Sequence, residues 1–238
     1  MNIFKKFLKT FNLLPCPACG RGDGGGENDF CPDCLAAFGR FDPARRCHGC
    51  GGEISGVLAV CPLCLQEKKR PWLDALALFR YENEAREMIL RFKSGKHPAL
   101  ARPLGKMAAQ LIRNCNWEID LAVPIPVHYT RLWSRGYNQA ELLARVAAPI
   151  LGIPCENALG KIFSPGKQAK RSRTGRHRQT KHAFVVEKPR RLAGKDILLV
   201  DDVFTTGATC DAAARELLKN GARSVRVFTV CRTVGFLH

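Results

Sequence analysis

Ile197-Leu198-Leu199-Val200-Asp201-Asp202-Val203-Phe204-Thr205-Thr206-Gly207-Ala208-Thr209 is the stretch that decides the fold. The four apolar residues 197–200 read as a strand buried on both faces, the pattern of a parallel sheet. Two acids, Asp201 and Asp202, sit at its C-terminal end. A turn of small residues follows and opens a helix expected over 207–220, with Gly221 just past its end. In an open α/β sheet, ligands bind at the carboxyl ends of the strands. The 205–209 turn can aim backbone N–H groups and three hydroxyls at one phosphate, and the helix adds its positive end. Gly207 permits close backbone approach to that phosphate. The Asp201 and Asp202 carboxylates stand where a ribose diol would emerge. They accept hydrogen bonds from hydroxyls and stabilise positive charge developing on the sugar ring.

Outward from this stretch the pattern alternates. Strands are expected over 75–81, 119–123, 158–163 and 224–231, and helices over 84–92, 100–114 and 138–151. Strands alternating with helices imply a parallel sheet with both faces covered. Residues 164–182 are polar and basic. From 161 to 182 there are eight Lys or Arg and no acid, a stretch suited to closing over diphosphate, to nucleic acid or to plain solvation. Arg131 and Arg135, beyond a strand's carboxyl end, suit a diphosphate.

Upstream the composition changes. Eight of the twelve cysteines form four C-x-x-C pairs: Cys16/Cys19, Cys31/Cys34, Cys47/Cys50 and Cys61/Cys64, with gaps of 11, 12 and 10 residues. Two such turns complete a closed tetrahedral four-cysteine site, so two structural zinc ions are expected, ahead of iron–sulfur or redox dithiols. The pairs can join in three ways. Consecutive joining closes the shortest loops and is expected over an interleaved arrangement. A closed site of four thiolates leaves no open position for catalysis, and His48 reads as exposed rather than ligating. Residues 15–66, rich in Cys, Gly and Pro, are expected to be organised by metal, and 67–74 to be a linker. A short amphipathic helix is expected over 1–14, packed on its own protein.

The chain has 238 residues, 46% of them apolar, enough for a packed core and too many for wholesale disorder. No apolar run is long enough for a membrane span, and no small-residue cleavage site marks a secretory signal. With paired cysteines of metal spacing, a reducing cytoplasm is the expected compartment. The net charge is +17. Residues 71–238 hold 28 basic and 14 acidic side chains. The excess therefore belongs to the α/β part and implies an anionic partner.

Residues 197–209 resemble the 5-phosphoribosyl-1-pyrophosphate (PRPP) signature of type I phosphoribosyltransferases. All 13 positions fit except bulky Phe204, where an aliphatic residue is usual. More of the chain resembles the competence protein ComF family, whose bacterial members join a double zinc ribbon to a phosphoribosyltransferase-like domain. The likeness includes the four knuckles, Phe92-Lys93, residues 123–126 (Val-Pro-Ile-Pro), residues 135–140 (Arg-Gly-Tyr-Asn-Gln-Ala), Gln168, Arg176 and Ala183-Phe184. It implies the domain order 1–14 helix, 15–66 double zinc ribbon, 67–74 linker and 75–238 phosphoribosyltransferase-like domain. It also implies a pyrophosphate-side loop within 123–139 and a catalytic hood over 164–182, with Gln168 and Arg176 as hood candidates. The chain departs from the family there, with Pro165, Arg171 and Gln179 replacing the expected Thr, Leu and Asn.

Two functions follow from the resemblance. One is Mg-dependent phosphoribosyl transfer from PRPP, with Asp201 and Asp202 on the ribose and residues 205–209 on the 5-phosphate. The other keeps the fold for single-stranded DNA binding in natural transformation, beside a helicase-like competence protein. A PRPP sensor without turnover is a third.

Overall fold

The computed structural model describes residues 15–21, 30–54, 58–66, 69–161, 184–187 and 189–233. The helix expected over 1–14, and Gln168 and Arg176 of the basic stretch, lie outside the described residues.

The parallel sheet is present. Its strands are β1 (Asp74–Arg80) and β2 (Leu121–Pro124), then, after a separate antiparallel pair of β3 (Leu159–Lys161) and β4 (Phe184–Val186), β5 (Asp196–Phe204) and β6 (Ser224–Arg232). The order is β1-β6-β5-β2, all parallel. Helices α1 (Pro32–Ala37) and α2 (Pro62–Gln66) lie in the Cys-rich segment. They are followed by α3 (Asn83–Lys93), α4 (Ala101–Asn114), α5 (Tyr129–Arg135), α6 (Gln139–Leu151) and α7 (Ala208–Lys219).

Side chains alternate across a strand, and here they feed two cores. Leu198, Val200, Phe228 and Val230 pack with α3, α4 and α6. Ile197, Leu199, Val225 and Val227 pack with α7. A sheet covered on both faces explains why β5 begins as an unbroken apolar run. Gly105 lets α4 and α6 approach closely: a Cβ there would lie 2.6 Å from that of Val146.

Three expectations are corrected. β5 does not stop at Val200 but runs on to Phe204. Residues 129–135, expected within a loop, are helical, and the helix ends at Gly136 with φ +78°. The Cys-rich segment is not organised by metal alone. Phe30 and Phe38 are buried edge to face at 5.3 Å, and Phe38 packs on Phe79 of β1 at 5.0 Å.

The second half of that segment is tied down by polar contacts. Trp72, within the stretch expected as a linker, is buried, and its indole N–H donates to the Gly49 carbonyl at 3.1 Å. Asp74 takes Arg46 at 2.6 Å, His48 Nδ1 at 2.7 Å and the Trp117 indole at 3.0 Å. Against the cost of burial, Arg46 and His48 hold its carboxyl below the usual range.

Asp196 opens β5 as a buried acceptor for Ser224 Oγ at 2.6 Å and Arg223 Nε at 3.0 Å. Arg223 foremost, helped by Ser224 and opposed by burial, holds its carboxyl at about 2. A depressed folded value means stability that is full above the ordinary carboxylate range near pH 4 and lost as pH falls towards 2. Asp196→Asn should flatten that acid limb by about 1 kcal/mol, because exposed Arg223 is screened by solvent. Urea unfolding across pH 2–5 checks it, and an unchanged limb would contradict it.

Candidate functional site

The carboxyl ends of β5 and β2 form one edge, because Pro124 pairs with Val200. Asp201 and Asp202 stand there inside the strand, so successive side chains leave on opposite faces. Asp202 pairs with Lys93 Nζ, at the end of α3, at 2.9 Å. Asp201 Oδ1 accepts the N–H of Asp202 at 2.8 Å. Burial, then the neighbouring Asp202 charge, push the Asp201 carboxyl above the usual range, against the pull of that N–H, Lys93 and Lys161. The two acids straddle the strand and do not close on each other.

The turn after β5 places Thr205, Thr206 and Thr209 at the surface around the N-terminus of α7. Thr206 Oγ1 accepts the Ala208 N–H at 3.3 Å. Gly207 has φ +81°, and a Cβ there would lie 2.4 Å from Phe204 Cζ. The glycine is therefore demanded by the Phe204 ring beneath it as well as by left-handed backbone. Close approach to a phosphate, the reason expected from the sequence, is joined here by a packing reason. Arg70 reaches in from 136 positions upstream and donates to the Thr206 carbonyl at 3.2 Å.

Across the edge stands α5. Arg131 is exposed, and its charge acts on Lys161. Desolvation, then Arg131, lower the Lys161 amine, while Asp201 opposes them. Arg135 is half-buried and donates to Gln139 Oε1 at 3.4 Å. Gln139 Nε2 and Tyr137 Oη both donate to the Phe92 carbonyl, at 3.0 and 2.7 Å. Asn138 caps α6 through the Ala140 N–H at 3.1 Å and donates to the Ile125 carbonyl at 3.0 Å. Residues 137–139 are thus framework that locks α6 to the end of α3. The structure brings Lys93 and Lys161 to the two acids and Arg131 to Lys161, and ties Arg135 to Gln139 instead. Sequence reasoning missed the pairing role of Lys93, for which only the Phe92-Lys93 likeness was a signal. It missed Arg70 entirely.

The cysteines gather as two consecutive sets, Cys16, Cys19, Cys31, Cys34 and Cys47, Cys50, Cys61, Cys64, with the sulfurs of each set within 4.8 Å of one another. The Sγ atoms of Cys19 and Cys31 are 3.7 Å apart, and those of Cys50 and Cys61 are 3.8 Å apart. A tetrahedral ion with Zn–S bonds of about 2.3 Å requires about 3.8 Å between sulfurs, so the donor sets fit structural zinc. The Cys31 N–H donates to Cys16 Sγ at 3.3 Å, and the Cys61 N–H to Cys47 Sγ at 3.1 Å, orienting sulfurs as outer partners do. His48 bonds Asp74 and belongs to neither set.

No helix among the described residues is long and apolar enough to cross a membrane. The model of the phosphoribosyl transferase domain family matches residues 95–234. That is more than half of the chain, and the chain belongs to this family. Its relatives place it in the competence protein ComF branch. It is 30% identical over 194 residues to the DNA utilization protein YhgH of Salmonella typhimurium, covering 79% of this chain and 84% of that one. It is 27% identical over 213 residues to Competence protein F of Haemophilus influenzae, covering 87% and 91%. It is 29% identical over 208 residues to Competence protein ComFC of Bacillus subtilis, covering 79% and 84%.

Proposed function

We propose that this protein binds PRPP at the carboxyl edge of β5 and transfers its phosphoribosyl group, in a role in DNA uptake or use. The observation that carries the reading is the juxtaposition of the Thr205–Thr209 turn with two carboxylates and the cations Lys93 and Lys161, with Arg131 beside Lys161. The turn and the N-terminus of α7 hold the 5-phosphate. Asp201 and Asp202 supply the carboxylate acceptors for the ribose hydroxyls. Arg131 and Lys161 face the diphosphate, and Lys93 holds the Asp202 carboxylate in place. Mg2+ accompanying PRPP supplies charge neutralisation for the leaving group. In the transfer the C1–O bond breaks and diphosphate departs with its electron pair. An acceptor lone pair forms the new bond to C1, and the acceptor's proton goes to solvent or diphosphate. The carboxylates stabilise the positive charge on the ring between these events.

The test is thermal unfolding with PRPP and Mg2+. A ligand at about 100 times its Kd adds about 2.7 kcal/mol, a rise of several degrees in a domain of this size. No rise with PRPP at millimolar concentration would sink the reading. Diphosphate release upon adding nucleobases or oligonucleotides then separates turnover from sensing.

A second reading, single-stranded DNA binding, is favoured by α5. Trp133 is 90% exposed, with Tyr129 half-exposed one turn before it on the same helix face, in a chain of net charge +17. Exposed rings beside cations are a stacking platform for bases. Trp133→Ala should weaken oligonucleotide binding by about 1–3 kcal/mol, the worth of one stacked base, and leave PRPP binding unchanged. Equal affinity for DNA in both proteins removes α5 from that role.

A further inference from the structure

Phe204 is the position where the turn's sequence departs from the family pattern, and its surroundings join two distant parts of the molecule. Its ring lies under Gly207. The Arg70 and Arg232 guanidinium carbons stand 5.9 and 5.5 Å from the ring centre, and Trp72 meets it edge to face at 6.1 Å. Arg70 also covers Trp72 at 5.4 Å.

The same side chains reach the second cysteine set. Trp72 donates to Gly49, which lies within the knuckle between Cys47 and Cys50. Arg232 is buried, 7% exposed, at the end of β6. Its side chain and the Cys50 sulfur flank Gly52, whose Cβ would come within 2.8 Å of Arg232 Cδ and 3.6 Å of Cys50 Sγ. Four thiolates around one divalent ion carry a net charge of about −2, and the buried guanidinium balances part of it. With the metal gone, the knuckle against which Trp72 and Arg232 pack is no longer fixed by its ligands. Both side chains are then free to shift off the Phe204 ring, on which Gly207 rests.

We propose that the Cys47, Cys50, Cys61, Cys64 cluster, with its metal, positions the 205–209 turn through Arg232, Trp72 and Phe204, so that metal there and a phosphoribosyl ligand at the turn strengthen one another's binding. Arg70, Arg232 and Phe204 are positioning residues in this scheme. The ligand half rests on the PRPP reading above; the metal-to-turn half does not. The Cys16 set supplies an internal control. Its surroundings pack on Phe79 of β1 and receive Arg91 of α3 at the Ala18 carbonyl, away from Phe204.

Coupling is reciprocal at equilibrium. Saturating PRPP with Mg2+ should raise the zinc affinity of the second cluster at least about fivefold in competition with a chromogenic chelator, and leave the first within about twofold. Cys61→Ser should weaken PRPP binding by the same factor, and Cys34→Ser should not. Phe204→Leu keeps all eight ligands. It should lower PRPP affinity about as much as Cys61→Ser does, and the double variant no further, because both cut one connection. Amide hydrogen exchange at 205–209, followed without PRPP, should quicken when the second cluster alone is emptied. PRPP binding with zinc affinity unmoved, or additive variants, overturns the coupling while the PRPP reading stands. Absence of PRPP binding by the wild type overturns that reading. Exchange at the turn then decides the metal-to-turn link, and unchanged exchange overturns it.

Discussion

Gly207→Val should reduce PRPP binding by at least a hundredfold while the sheet stays folded. Two penalties act together. The backbone at 207 lies at φ +81°, where a β-branched residue is strained by about 1–3 kcal/mol. The new Cβ would also lie 2.4 Å from the Phe204 ring. That ring is buried, 2% exposed, among Trp72, Arg70 and Arg232. The turn must therefore lift, taking the Thr205–Thr209 groups out of register with a phosphate. Binding is read by calorimetry and folding by near-ultraviolet circular dichroism. Near-wild-type affinity in a folded Gly207→Val protein would contradict the geometry assigned to the turn.

Stripping metal from both cysteine sets should be the more damaging change. Structural zinc sites contribute about 10–16 kcal/mol of binding free energy to the folded state. Here the loss spreads, because the segment shares the sheet's core. Phe30 and Phe38 leave Phe79 when the first set opens, and truncating a buried Phe costs about 3–5 kcal/mol. Trp72 and Asp74 lose their partners Gly49, Arg46 and His48 when the second set opens. Chelation with a strong ligand should lower the melting temperature by more than about ten degrees and broaden the transition. An apoprotein that melts with the holoprotein would contradict the shared core, and fewer than two zinc ions per chain in fresh protein would contradict the two sites.

What could be read from the sequence was local. The unbroken apolar run of β5 and the regular C-x-x-C spacing each need only neighbouring residues to be interpretable. Loop lengths favoured consecutive joining of the knuckles only slightly over an interleaved arrangement, and the structure joins them consecutively. What could not be read was long-range or too short to show a period. Asp201 and Asp202 look like a strand's end, yet Lys93 and the open edge let the strand continue through them. Helix α5 buries none of its side chains, so no apolar period marks it. β4 has three residues, and its partner β3 is likewise short. Phe204 appeared as a misfit because its neighbours Arg70, Trp72 and Arg232 are remote in the chain.

The most direct test of the PRPP site is a calorimetric titration of wild type and of Asp201→Asn with Asp202→Asn, both with PRPP and Mg2+. Each carboxylate lost removes a charged acceptor worth about 1.5–3 kcal/mol, so the double variant should bind at least a hundredfold more weakly at one site per chain. Asp202→Asn also frees Lys93 from its partner at 2.9 Å, so retained folding is checked by the unfolding transition. Saturable wild-type binding that collapses in the folded variant is the predicted result. Equal affinity in the two proteins, or no heat with either, would contradict it.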